Sequence, residues 1–80
     1  MNNNYANNKV SYCNHNSVLV INRTGKLRQV FTPFKVYARD AQTRHVYVVD
    51  EVTSTKDDKL LYFINGKYYQ HTYFVLDVLF

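Results

Sequence analysis

Apolar and polar residues alternate at every position of the segment 34–39, which reads Phe-Lys-Val-Tyr-Ala-Arg. Side chains at every second position of a β-strand share one face, so this segment predicts a strand with one dry and one wet face. No window of about 11 residues in the chain keeps the spacing of an amphipathic helix. The sequence therefore predicts an all-β protein.

Short runs rich in β-branched and aromatic residues, separated by turn residues, predict five to seven antiparallel strands. The runs cover residues 17–21, 26–31, 34–39, 44–52, 59–64, 67–69 and 75–80. Pro33 cannot donate to a ladder and predicts a strand break. Asn65-Gly66 is typical of a type I′ hairpin turn, and residues 70–73 fit one 3₁₀ turn.

The 80 residues allow one domain. Strands this short and few favour a small barrel over residues 17–80, because closure hides the sheet edges. Residues 1–16 contain seven Asn and little apolar surface, so we expect a disordered tail. In the alternative interpretation, the segment Val10–Cys13 adds an edge strand.

The composition favours a reduced, intracellular protein with an aromatic core. Hydrophobic residues make up 46% of the chain, with eight Tyr and five Phe. Cys13 is the single cysteine, so an intramolecular disulfide is excluded. Residues 1–8 are polar and lack the apolar run of a signal peptide, and no stretch approaches the length of a membrane span. We therefore expect a soluble cytoplasmic protein without a membrane partner.

The charge of the chain is unevenly distributed. The net charge is +4, but residues 1–49 hold seven Lys or Arg against one acidic residue, whereas residues 50–80 hold three against five. The basic part could attract phosphate groups or an acidic protein surface. This balance excludes an acidic mimic of DNA.

The segments 46–52, 60–69 and 71–74 together resemble the small SH3-like barrel proteins encoded by bacteriophages and other mobile elements. Those proteins carry a strand with a Tyr before a Val, a polar turn, a hairpin ending in Tyr-Tyr, and a short turn with an aromatic pair before the last strand. The resemblance implies an SH3-like barrel that acts as an accessory or host-modulating binding protein, and it brings no catalytic residue. This chain lacks the acidic, Gly-rich hairpin tips of many such proteins.

The sequence favours binding over catalysis. The metal-ligating candidates are Cys13, His15, His45 and His71. Their spacing does not match the paired ligands of zinc sites, so we expect no metal and no cofactor. Neighbouring carboxylates on a strand point to opposite faces, and no Gly-rich phosphate loop or nucleophile motif is present, so we expect no catalytic residue.

A protein partner is the first functional hypothesis. Five aromatic rings fall within residues 67–74, more than a small barrel can bury. Tyr is enriched in interface cores and hot spots, so we expect Tyr68, Tyr69 and Tyr73 to contact the partner. The last strand is apolar on both faces apart from Asp77, and it could also join two copies of the chain into a homodimer.

Single-stranded nucleic acid is the alternative partner. Cations interleaved with an aromatic ring are typical of proteins that bind single strands. On this hypothesis the binding residues are Arg28, Lys35, Tyr37, Arg39 and Arg44. In the competing interpretation, this surface is an ordinary solvated face on which Tyr37 packs along the stems of its neighbours.

Overall fold

The computed structural model describes residues 8–39, 45–76 and 78. Within these residues the chain forms nine strands and one 3₁₀ turn over His71–Tyr73. The strands are β1 (Lys9–Asn14), β2 (Ser17–Ile21), β3 (Leu27–Phe31), β4 (Phe34–Ala38), β5 (Val46–Val49), β6 (Glu51–Ser54), β7 (Leu60–Ile64), β8 (Lys67–Gln70) and β9 (Phe74–Leu76). The all-β prediction is confirmed, with more strands than the five to seven expected.

The strands form three antiparallel sheets of three strands each. Sheet I has the order β1-β2-β3, sheet II the order β5-β4-β9, and sheet III the order β6-β7-β8. Single backbone hydrogen bonds connect the sheets, such as the 2.9 Å bond from the Val52 N–H to the His15 carbonyl. Among the described residues the ladders remain separate, so they do not form the closed barrel that was predicted.

All three sheets contribute side chains to one hydrophobic core. Its buried members are Val18, Val20, Phe34, Val36, Val49, Val52, Leu60, Tyr62, Ile64 and Leu76. These aliphatic and aromatic side chains come from all three sheets, and together they remove a large apolar area from water. Burial of apolar area is the main stabilising contribution in a domain this small.

Strand β4 has the two faces that its alternating sequence predicts. Phe34 and Val36 are buried, whereas Lys35 is exposed and Tyr37 is half-buried. β4 is the central strand of sheet II, paired with both β5 and β9. The wet face of β4 is therefore the outer face of sheet II, and the dry face packs on the core.

The predicted turns are also confirmed. Asn65 and Gly66 both have positive φ, 51° and 82°, as a type I′ turn requires, and they connect β7 to β8. Between β2 and β3 the side-chain oxygen of Asn22 accepts hydrogen bonds from the N–H groups of Thr24 and Lys26. The break between β3 and β4 falls at Thr32-Pro33.

The prediction of a disordered tail over residues 1–16 is wrong for the segment that forms β1. β1 pairs antiparallel with β2, from Lys9 opposite Ile21 to Asn14 opposite Ser17, and Val10 packs against the core. The backbone ladder with β2 and the packing of Val10 on the core hold this segment in place, although it is polar overall. The alternative of an added edge strand is correct. Residues 1–7 lie outside the described residues.

The segment predicted as one strand over residues 44–52 is divided between two sheets. β5 ends at Val49 and β6 begins at Glu51, and the Asp50 N–H between them donates to the Phe63 carbonyl at 2.9 Å. The buried residues Val49 and Val52 are three positions apart, so the inward set shifts by one residue at this corner. The chain uses this shift to pass from sheet II to sheet III.

The outer face of sheet I exposes two large apolar side chains. Leu27 and Phe31, on the edge strand β3, are 60% and 62% exposed. Leu27 lies opposite Ile21, which alternates along β2 with the buried Val20 and therefore faces away from the core.

Candidate protein-binding groove

An apolar groove of about 260 Å³ opens where sheets II and III meet. It takes residues from β4, β5, β7, β8, the 3₁₀ turn and β9. The lining residues are Ala38, Tyr47, Ile64, Asn65, Tyr69, Tyr73 and Phe74. We call this feature the aromatic groove.

Phe74 links the aromatic rings of this groove. Its ring centroid lies 5.7 Å from that of Tyr47 and 6.0 Å from that of Tyr69, and both pairs are edge-to-face. Edge-to-face pairs at such distances are favourable beyond the area they bury. Tyr47 comes from sheet II and Tyr69 from sheet III, so the ring of Phe74 holds the two walls in fixed positions.

Sequence and register explain why space remains beside Phe74. Ala38 lies directly opposite Phe74 in the pairing of β4 with β9. Directly opposed residues share a face, and a methyl group covers little of a neighbouring ring. A larger residue at position 38 would occupy the groove.

Beneath the groove, a buried tyrosine packs against the lining residue Phe74. Tyr62 is 1% exposed, and its ring centroid lies 5.5 Å from that of Phe34 in an edge-to-face pair. The same ring lies 6.1 Å from Phe74. Burial raises the pKa of the Tyr62 phenol well above its usual value, so the hydroxyl remains protonated.

Tyr69 and Tyr73 give the groove its accessible aromatic surface. Tyr73 is 61% exposed and Tyr69 is 37% exposed. A side chain of a partner can therefore reach both rings without a change in the fold. Tyr rings offer large contact area with little loss of conformational entropy, and each has a hydroxyl for hydrogen bonding.

Arg39 holds the 3₁₀ turn that carries Tyr73. Its Nε donates to the Thr72 carbonyl at 2.9 Å and its Nη2 donates to the Phe74 carbonyl at 3.4 Å. Its backbone N–H donates to the Tyr73 carbonyl at 2.8 Å. Hydrogen bonds from a charged donor are stronger than neutral ones, so the turn is fixed to the end of β4.

His71 fixes the other side of the same turn. Its Nδ1 lies 3.3 Å from the Leu60 carbonyl, so the Nδ1–H donates, and its ring lies edge-on to Tyr62. Burial lowers the pKa of His71, the hydrogen bond to Leu60 opposes this, and the nearby Arg39 charge lowers it further. The imidazole is therefore neutral at pH 7.

The structure separates the three predicted contact tyrosines. Tyr69 and Tyr73 line the aromatic groove, but Tyr68 points to the opposite face of sheet III, where it lies 4.8 Å from the ring of Phe63. Adjacent residues of a strand face opposite ways, so the same alternation that predicted the strands could have shown this. The prediction also missed Tyr47, which shares the inward face of β5 with Val49; its place in the groove depends on the pairing of β4 with β5, for which the sequence has no short-range signal.

The predicted basic residues lie in different parts of the fold. Lys35 and Tyr37 share the outer face of β4, whereas Arg28 lies on β3 in sheet I. Two donor groups of Arg39 are directed to carbonyl oxygens of the 3₁₀ turn. Arg44 lies outside the described residues.

The metal-ligating candidates are also dispersed. Cys13 is exposed and accepts a 3.4 Å hydrogen bond from the Gln29 amide, and His15 packs edge-on against Tyr12. His45 lies against Tyr47, and His71 belongs to the 3₁₀ turn. In the described ranges, no three His, Cys, Asp or Glu side chains form a group that could hold a metal ion.

The fold and the groove define a small all-β protein with an aromatic surface groove. No protein-family model, curated protein or solved structure matches the chain significantly. Across residues 8–39, 45–76 and 78, no helix is long and apolar enough to cross a membrane. The functional interpretation therefore depends on the geometry of the groove.

Proposed function

We propose that this chain is a non-enzymatic protein-interaction module and that its partner binds in the aromatic groove. One observation carries the proposal. The groove combines aromatic walls from two sheets, packed on Phe74, with two tyrosines that remain exposed. Interface hot spots are enriched in Tyr and cluster in well-packed pockets that receive an anchor side chain.

The small, open shape of the groove favours one side chain of a protein over a free small molecule, which is usually buried in an enclosed site. Sites for small molecules usually enclose about 300–1,000 Å³ and bury most of the ligand. The groove measures about 260 Å³ and opens to solvent beside Tyr73. A single apolar side chain from a partner fits this space, while the rest of the partner lies on the surrounding surface.

An SH3-like architecture is part of this proposal. The 3₁₀ turn directly before the last described strand and the type I′ hairpin of β7 and β8 support it, since both agree with the resemblance described above. An intracellular location and an origin in a bacteriophage or another mobile element are also proposed, and these rest on the sequence alone.

A pair of matched variants tests the binding site. A random peptide library displayed on phage is selected against the immobilised protein, and each selected peptide is then titrated against Tyr73→Ser and Tyr68→Ser. Both tyrosines are well exposed, at 61% and 55%, but Tyr68 lies on the other face of sheet III. We expect Tyr73→Ser to weaken binding at least tenfold and Tyr68→Ser to leave it unchanged.

The proposal fails if no selected peptide depends on Tyr73. Thermal unfolding of the two variants provides the control, because an exposed side chain contributes little to stability. Both should unfold near the temperature of the parent protein. A shared loss of binding in both variants would place the contact outside the groove.

Single-stranded nucleic acid is the second candidate partner, favoured by the charge of the first half of the fold. Residues 8–39 carry six cations and no carboxylate. The cations are Lys9, Arg23, Lys26, Arg28, Lys35 and Arg39. Titration of a fluorescent oligonucleotide across a salt series tests this, because each neutralised phosphate adds about 0.7 to the slope of log affinity against log salt. Absence of binding at low salt would remove this candidate.

A further inference from the structure

We propose that the ligand of the aromatic groove is an extended acidic segment of a partner protein, which pairs with the edge of β8 and inserts an apolar side chain between the tyrosines. This inference rests on the proposed function and names the class of partner. Three features carry it: the open edge of β8, the hairpin register, and the charges beside the groove.

β8 is an edge strand. It ends the order β6-β7-β8 of sheet III, and all four of its residues are exposed. An exposed edge offers unpaired N–H and C=O groups to an incoming strand. In strand addition, these main-chain groups provide affinity, and pockets for alternate side chains provide specificity.

The register shows which groups are available. The two-residue turn makes Ile64 and Lys67 a hydrogen-bonded pair, and the pairing of Tyr62 with Tyr69 repeats that pattern two residues on. The N–H and C=O groups of the intervening Tyr68 and of Gln70 therefore point away from β7. None of the backbone hydrogen bonds of the described turns and loops engages the two Tyr68 groups or the Gln70 N–H. The Gln70 carbonyl directly precedes the 3₁₀ turn and accepts the first hydrogen bond of that turn, so it does not belong to the open edge.

Tyr69 connects this edge to the groove. Its side chain lies on the same face as its partner Tyr62, which is the core face, and it forms a wall of the groove. A strand paired with β8 would carry every second side chain on that face as well. One of these side chains would meet the rings of Tyr69 and Tyr73.

The charges beside the groove favour an acidic segment. Lys67 lies opposite Ile64, so it shares the face of a lining residue, and it is exposed. Arg39 follows the lining residue Ala38 and contacts the carbonyls on both sides of Tyr73. Glu51 lies opposite Phe63 and therefore on the other face of sheet III. Two cations at the rim steer and select a ligand with carboxylates.

Synthetic peptides test the three features separately. The probes are the Tyr73-dependent peptides from the display selection, their versions with Asp and Glu replaced by Lys, and their versions N-methylated at alternate peptide bonds. We expect the selected peptides to be enriched in acidic residues around one apolar residue. Replacement by Lys should weaken binding at least fivefold at low salt, with a smaller loss at high salt.

Backbone pairing gives its own signal. N-methylation at the bonds that face β8 should weaken binding about tenfold, whereas methylation at the alternate bonds should leave it unchanged. In the complex, the amide protons of Tyr68 and Gln70 should exchange more slowly with solvent, while those of β6 are unaffected.

A charge reversal provides the matched variant. Lys67→Glu should lower the affinity for the acidic peptides by about two- to fivefold and raise the affinity for the Lys-substituted versions by a similar factor, as expected for an exposed ion pair. Lys56→Glu, in the turn at the opposite end of sheet III, should change neither. Arg39 is left intact because it fixes the 3₁₀ turn.

The outcomes separate the inference from the proposed function. Tyr73-dependent peptides that show no acidic enrichment, or that tolerate N-methylation at every position, overturn the acidic strand and leave a protein-binding groove. If no peptide depends on Tyr73, both the groove and its proposed ligand are overturned. Acidic peptides that respond to Tyr73, Lys67 and N-methylation support the inference.

Discussion

The Nε of Arg39 donates a 2.9 Å hydrogen bond to the carbonyl oxygen of Thr72, which lies 33 residues further along the chain. With the second bond to Phe74 and the backbone bond to Tyr73, one residue at the end of β4 connects to three consecutive residues of the turn and β9. The position of Tyr73, and with it one side of the aromatic groove, therefore depends on a residue outside the aromatic cluster.

Arg39→Ala should lower the free energy of unfolding by about 1–3 kcal/mol, because it removes two hydrogen bonds from a charged donor. Urea denaturation measures the change. Lys35→Ala is the control, since Lys35 is exposed on the same strand, and its effect should stay within about 0.5 kcal/mol. Equal losses for both variants would mean that the guanidinium bonds do not stabilise the turn.

Ala38→Leu should block the aromatic groove with little effect on the fold. The added carbons enter space beside Phe74 that is empty of protein, so the free energy of unfolding should change by less than about 1.5 kcal/mol. Binding of Tyr73-dependent peptides should fall at least tenfold in a fluorescence titration. Ala38→Ser, of nearly the same size, should retain binding, and full binding by Ala38→Leu would place the ligand elsewhere.

Acidification should destabilise the protein through His71. Because burial lowers the pKa of this histidine in the folded state, the unfolded chain binds the proton first as the pH falls below the usual value of about 6.5. The free energy of unfolding should therefore decrease from that pH down to the folded pKa, and it should gain nothing from this group at higher pH.

The variant His71→Asn isolates this contribution. Asn has no charge to gain, and its amide can still donate near the position of Nδ1. Urea denaturation at several pH values should give a shallower decrease for His71→Asn than for the parent. Identical curves for the parent and His71→Asn would contradict the prediction.

Gly66→Ala should lower the free energy of unfolding by about 1–2 kcal/mol, because residue 66 has a φ of 82° that a Cβ disfavours. No atom lies within 4 Å of the added methyl group, so the cost comes from the backbone alone. Asn65→Gly is the control, since glycine adopts the φ of 51° at that position without strain. Thermal or urea unfolding measures both, and a neutral Gly66→Ala would argue against a type I′ turn.

Local patterns in the sequence predicted most of the strands but not their division among sheets. The alternation along β4 and the Asn65-Gly66 turn depend on near neighbours, so the printed sequence contains them. The corner at Asp50 does not, because β-branched residues continue on both sides of it. Only the burial of Val49 and Val52, three positions apart, shows that the inward-facing positions shift by one residue, and burial is a property of the folded chain.

The part of the candidate site that comes from one short segment of the sequence was predictable, and the part that comes from distant segments was not. Tyr69 and Tyr73 belong to the aromatic segment that the sequence indicated, and the structure places both in the groove. Ala38 and Tyr47 enter it through the long-range pairing of β4 with β9 and with β5, for which the sequence has no short-range signal. The strand β1 was only the alternative interpretation for a related reason, since its order depends on β2 rather than on its own composition.

The exposed Leu27 and Phe31 on sheet I have a consequence for the behaviour of concentrated solutions. Two molecules that approach through this face bring together strands that carry Lys9 and Arg28 and no carboxylate, and Lys9, opposite Ile21, shares the face of the two apolar side chains. Mutual repulsion keeps such faces apart at low ionic strength, and added salt screens it. Light scattering should therefore detect reversible clustering that grows as sodium chloride is added, and Phe31→Ser should suppress it.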